Sequence, residues 1–135
     1  MKGVASSWRR MKYRYNLYST KCENCSGIFF PPRIICPRCR RAGKMIELKL
    51  SGRGKIVSFT TIHSPPEGYT FQTPYLLAII KLEEGPMLTT QVVETEESAI
   101  RIGTQVEMVF RKLIDHGEEN LISYGYKFRV ADKQV

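Results

Sequence analysis

The most specific chemistry in this 135-residue chain belongs to four cysteines: Cys22 and Cys25, then Cys36 and Cys39, two Cys-x-x-Cys pairs with ten residues between them. A two-residue spacing turns both thiols of a pair to one side. Two such turns facing each other complete a tetrahedron with metal–sulfur distances of about 2.3 Å. Zinc suits this donor set; disulfide, redox and iron chemistry are the alternatives. Four thiolates fill every position of tetrahedral zinc, so the ion is expected to hold structure and to leave no place for water or substrate. A segment below about 40 residues builds too small a core to fold without such a staple.

With every cysteine assigned to metal, no thiol remains for acyl transfer. The two histidines offer little more. His116 lies in the turn Asp115-His116-Gly117, where a solvated loop residue is the plain reading. His63 ends a β-rich run beside a long proline loop, where backbone groups satisfy an imidazole more readily than a substrate does. No nucleophile is paired with a base along the chain, so catalysis by this chain alone is not expected.

Charge points toward binding instead. The net charge is +8, and it is uneven: residues 1–44 hold eleven Lys/Arg against Glu23, giving +10, while residues 45–135 come to −2. A basic balance is the usual mark of a nucleic-acid or phosphate partner. A single-stranded nucleic acid stacked on Phe59, Tyr69, Phe71 and Tyr75 is the alternative reading, but the acidic balance of residues 45–135 repels a polyanion where it would lie. Clustered arginines suit a compact phosphate or an acidic protein surface. No apolar run approaches the roughly 18–20 residues of a membrane span, and Arg9, Arg10, Lys12 and Arg14 follow the N-terminus where a secretory signal would be apolar. A cytoplasmic protein without membrane contact is expected.

The elements that must position these residues are mainly β. Residues 1–16 predict a short basic helix, capped by Ser6 or Ser7, with Trp8, Met11 and Tyr15 at i, i+3 and i+7. It either packs through Trp8 or presents its cations to a partner. Residues 17–44 outline a zinc ribbon in which Ile28-Phe29-Phe30 is a short strand stopped by Pro31-Pro32. Residues 45–135 read as strands with turn punctuation. Ile46 to Leu50 alternates with period two, followed by runs at 55–63, 75–82, 87–93, 105–113 and 121–130. The loop from Ser64 to Pro74 is long enough to suggest function. The segment 94–103 has room for one or two helical turns. Three strands, a short connector and two more fit a five-stranded OB-fold barrel, with an SH3-like barrel as competitor.

Cys22-Glu23-Asn24-Cys25, Phe30-Pro31-Pro32-Arg33, Cys36-Pro37-Arg38-Cys39 and Ser51-Gly52-Arg53-Gly54-Lys55-Ile56 occur in this order. Later come His63-Ser64-Pro65-Pro66, Pro74-Tyr75, Leu82-Glu83-Glu84-Gly85 and Arg101-Ile102-Gly103. From Trp8 to about Val130 the chain thereby resembles the acyl-CoA-associated OB-fold proteins with an N-terminal rubredoxin-like zinc ribbon, domain-of-unknown-function family thirty-five. That resemblance implies an accessory subunit that binds a thiolase-type enzyme. It implies a bridge between acetoacetyl-CoA thiolase and hydroxymethylglutaryl-CoA synthase at the entry to the mevalonate pathway of lipid metabolism, with acyl-CoA as a ligand near the groove between helix, ribbon and barrel. Arg9, Arg10, Arg14 and Arg33 are then expected to meet phosphate or partner, and Tyr69, Phe71 and Tyr75 to meet pantetheine or partner. Two positions depart from the family pattern: Ser26, where glycine is usual, and Arg40, where small residues often follow the second cysteine pair.

Overall fold

A computed structural model describes residues 4–114 and 122–131. The expected turn at 115–120, with His116, lies outside them. The helix α1 spans Val4–Tyr15, and among the described residues eight strands follow: β1 Tyr18–Cys22, β2 Ile28–Phe29, β3 Met45–Lys49, β4 Arg53–Ile62, β5 Tyr75–Leu82, β6 Met87–Val93, β7 Gln105–Ile114 and β8 Ser123–Val130. Strands β2, β1 and β3 form one antiparallel sheet; β4, β5, β6, β8 and β7 close a barrel. The last order, with β6 parallel to β8 and every other neighbour antiparallel, is that of an OB-fold.

Alternation builds the barrel. In β5, Leu76, Ala78, Ile80 and Leu82 are buried, and Leu88, Thr90 and Val92 of β6 oppose them; Ile56, Val106 and Phe128 complete the centre. A bulge between Ile56 and Ser58 bends β4, which a barrel this small requires. Gly54 sits where β4 approaches β5 most closely: a Cβ there would lie 2.6 Å from the Lys81 carbonyl oxygen. The segment between β6 and β7 shrinks to a single 3₁₀ turn, Glu97–Ala99, and the buried Ile100 after it plugs the barrel end.

The strand at Met45–Lys49 does not join the barrel. It pairs along its whole length with β1, from Tyr18↔Lys49 to Cys22↔Met45, so that the first cysteine pair is anchored by a strand that follows the second.

Two expectations for the helix are corrected. It begins by Val4, which places Ser6 and Ser7 within its turns instead of at a cap. Trp8 does not pack: it is 72% exposed. The helix rests instead on its C-terminal half, where the Tyr15 ring meets Phe110 edge-on at 4.9 Å and the Arg14 carbonyl backs onto Gly125 of β8. Lys12 bonds Glu47 of β3 at 2.7 Å and lies 4.6 Å over the Tyr18 ring, which ties the helix to the ribbon. A second aromatic contact docks the ribbon: Phe30 meets Tyr126 of β8 edge-on, and Tyr126 in turn meets Phe128 in the core.

Candidate functional site: a cysteine cluster and an interdomain trough

The four cysteine sulfurs lie within 4.8 Å of one another, with Cys25 Sγ and Cys36 Sγ at 3.6 Å. Thiolates at about 2.3 Å from a central zinc are separated by about 3.8 Å, so the cluster fits the ion if its widest separations close by about 1 Å. The protein also supplies donors aimed at sulfur: the Cys39 backbone N–H points at Cys36 Sγ at 3.4 Å. That bond, assisted by the Arg38 backbone, pulls the Cys36 thiol down to about 7. Cys22 and Cys36 are fully buried, Cys25 and Cys39 partly.

Local backbone explains how two short turns hold this geometry. Ser26, after the first pair, and Arg40, after the second, adopt left-handed backbone with φ of 56° and 51°. Both turns therefore keep the conformation that glycine adopts most readily, and the two departures from the family pattern leave the cysteine geometry intact. Gly43 closes the cluster from the side. A Cβ on it would lie 2.7 Å from Cys36 Cβ and 3.1 Å from Cys22 Sγ.

The second feature is a trough of two adjoining cavities, where the barrel meets the helix in one and the ribbon in the other. A cavity of about 470 Å³ is lined by Arg14 of α1, Pro66 and Tyr69 of the β4–β5 loop, Tyr75 and Leu77 of β5, Gln91 of β6 and Lys127 of β8, among others. A second, of about 310 Å³, is lined by Phe30 and Pro31 of the ribbon, Ile79 of β5 and Met87 of β6. Thr89 and Tyr126 line both, which places the two cavities side by side. The opening has a topological cause: β6 and β8 pair only at Val92↔Phe128 and Val93↔Arg129 among the described residues, and the strands part beyond that point.

The trough is apolar along its walls and polar at one end. Lys127 is 95% buried by the surrounding side chains, being 5% exposed, and its ammonium bonds Gln72 Oε1 at 2.6 Å; Gln72 Nε2 in turn donates to the Leu113 carbonyl at 2.7 Å. Burial, with the Arg111 charge second, holds Lys127 below the ordinary lysine value. Gln91 lines the same cavity, and its Nε2 amide is buried with no hydrogen-bond partner among the described residues.

Of the residues expected at a site, Arg14, Tyr69 and Tyr75 come together on this trough. Arg9 and Arg10 are exposed on the helix, and Arg33 is exposed at the start of the second cysteine turn, away from the cavity walls. Phe71 also points away and carries the Lys112 ammonium 5.6 Å over its ring. Phe59 packs against the core, and His63 is exposed just past β4. Sequence reasoning missed Leu77, Thr89, Gln91, Tyr126 and Lys127. The polar run Thr89-Thr90-Gln91 inside an apolar strand was the available signal.

Comparison with known proteins covers both halves. The family model described as the ChsH2 rubredoxin-like zinc ribbon domain matches residues 9–45, and that of the ChsH2 C-terminal OB-fold domain matches residues 47–111. A DUF35 domain-containing scaffold protein of Methanothermobacter thermautotrophicus is 48% identical over 129 residues, covering 96% of this chain and 97% of that one. Its counterpart in Methanocaldococcus jannaschii is 45% identical, covering 95% and 91%. The solved structure of an Ltp2-ChsH2(DUF35) aldolase superposes with a TM-score of 0.70 at 26% identity, covering 96% of this chain and 95% of that chain.

Proposed function

The chain belongs to the DUF35 family of ChsH2-like proteins that join a zinc ribbon to an OB-fold, and from that membership we propose that it is a non-catalytic scaffold for a thiolase-type enzyme. The observation that carries this reading is the trough. The helix and barrel wall one of its cavities and the ribbon and barrel wall the other, with Thr89 and Tyr126 of the barrel common to both. The scaffold role named for the relatives supports it, as does the pairing of a ChsH2 chain with Ltp2 in the related aldolase.

In this reading Cys22, Cys25, Cys36 and Cys39 hold zinc, and the ion fixes the ribbon that carries Phe30 and Pro31 to the trough. The partner enzymes are acetoacetyl-CoA thiolase and hydroxymethylglutaryl-CoA synthase, bridged in the cytoplasm at the entry to the mevalonate pathway. Acyl-CoA lies in the trough with its arm between Tyr75 and Tyr69 and its phosphates toward Arg14, while Arg9, Arg10 and Arg33, exposed away from the cavity walls, meet phosphate or protein.

The test is reconstitution. The zinc-loaded chain is mixed with the purified thiolase and synthase of the same genome and passed over a sizing column. Co-elution of all three, with a faster coupled conversion of acetyl-CoA, is expected. Leu77→Trp, which fills the trough, should abolish CoA protection of the chain while leaving it folded. Separate elution together with an unchanged conversion rate would refute the bridge.

A further inference from the structure

We propose that the tip of the second cysteine turn, Ile34 and Ile35 with the exposed Arg33, Arg38, Arg40 and Arg41 of the same turn, is the docking surface for the partner enzyme, and that the enzyme's matching face is an apolar hollow rimmed by carboxylates. The proposal rests on the scaffold reading and says where the partner sits, which is not on the trough.

Two adjacent isoleucines are 94% and 62% exposed. Isolated surface apolar residues are common, but a contiguous apolar pair in the middle of a chain is a recognised mark of interaction. The segment is not loosely held. At one end the Arg33 N–H donates to Thr20 Oγ1 at 2.9 Å; at the other Cys36 is buried, and the Arg40 N–H donates to the Cys36 carbonyl at 2.8 Å. The isoleucines are presented to solvent by a loop fixed at both ends.

The four arginines have the same outward character. Among the described residues none of the four arginine side chains makes an ion pair or hydrogen bond, and the one acid of residues 1–44, Glu23, is already held by Lys44 at 3.0 Å. Arg40 adds an independent sign. It occupies a left-handed backbone position that glycine adopts without strain, and its exposed side chain returns nothing to the fold. Strain at a position without an internal reward points to a role outside the chain.

Exposed isoleucines and arginines on one short turn match the mixed apolar and guanidinium make-up of a protein interface, and forked guanidinium groups pair well with carboxylates. A nucleic acid would use the arginines and leave the isoleucines in water. A bilayer would gain little from two side chains, since even a myristoyl chain binds only marginally.

The test titrates the full-length zinc-loaded chain against the thiolase and the synthase of the same genome. Ile34→Ser combined with Ile35→Ser is expected to weaken binding about 30-fold, as for a central hot spot. Arg38→Glu with Arg41→Glu should weaken it about tenfold and flatten its salt dependence. Arg40→Gly separates docking from folding: relief of the backbone raises the melting temperature, while loss of the guanidinium weakens binding about threefold. If the wild type binds and these variants, with full zinc content, bind equally well, the docking surface is wrong and the scaffold reading stands. If the wild type binds neither enzyme, both fall. Binding of phosphatidylglycerol vesicles or single-stranded RNA by the wild type, lost on the same isoleucine changes and without enzyme binding, would also overturn the protein partner.

Discussion

Replacing Gly43 by alanine tests the cysteine cluster at its tightest point. The added carbon would sit 2.7 Å from Cys36 Cβ, 3.0 Å from Cys39 Cβ and 3.1 Å from Cys22 Sγ. Comfortable carbon–carbon contact begins at about 3.5 Å, so something must move by nearly 1 Å. No flexible side-chain end is available to move, because two of the neighbours are β-carbons of cysteines and the third is a sulfur of the cluster. Metal–sulfur distances tolerate only about 0.2 Å, so the displacement falls on the zinc. Overpacking of this kind costs about 1–3 kcal/mol, which is about 5- to 150-fold in zinc affinity. The assay is competition with a chromophoric zinc chelator, paired with thermal unfolding at saturating zinc. Gly27→Ala is the internal control: its Cβ would meet the Phe29 ring at 3.1 Å and Cys25 Sγ at 3.3 Å, and a ring can swing aside. Wild-type zinc affinity and melting in Gly43→Ala, or a larger loss in Gly27→Ala, would refute the packing argument.

Ser26→Gly should stabilise the zinc-loaded chain by about 0.5–1 kcal/mol, because the left-handed strain on serine exceeds the entropy glycine adds to the unfolded chain; an unchanged or lower melting temperature would contradict this. For Lys127, burial lowers the folded pKa below the unfolded value, so the unfolded chain binds more protons between the two and stability from this group rises with pH toward the ordinary lysine range. Lys127→Met should therefore narrow the gap between melting temperatures at neutral and alkaline pH, and an identical pH profile in the two proteins would rule the mechanism out. Glu94 has the same sign in the acid range: hydrogen bonding to Arg111 holds its carboxyl below the usual carboxylate range, so its contribution is present above that range and is lost as pH falls through the lowered value. Glu94→Gln should flatten the acid limb of a melting-temperature profile.

Strands bounded by proline or glycine were readable to the residue: β5 and β6 fall at 75–82 and 87–93 because Pro74, Gly85-Pro86 and the acidic run after Val93 punctuate them. The metal-ready cysteines were readable because their spacing alone is restrictive. Trp8 was not. Helical periodicity fixes which side chains share a face but not which part of the helix has something to rest on, and here the support comes from Phe110 and Gly125, about a hundred residues away in sequence. The trough walls were hidden for a related reason. Leu77, Thr89 and Gln91 occupy the strand positions that alternation assigns to solvent, and they become a wall only because the ribbon and the β4–β5 loop fold over them. Lys127 looks like an outward lysine in sequence; its burial depends on Gln72 reaching it from that loop.

The backbones on either side of the ribbon meet: the Leu50 N–H donates to the Leu17 carbonyl at 2.9 Å, and both leucines are buried in the core cluster. Residues 18–49 thus leave and re-enter the molecule through one stitched point. In the terms of chain assembly they are a cassette, and a short joint in their place would still seat the helix against the barrel. A lineage can exchange the ribbon, and with it Phe30, Pro31 and the isoleucine tip, without re-registering any strand of the barrel, so that choice of partner and integrity of the barrel are free to evolve at different rates.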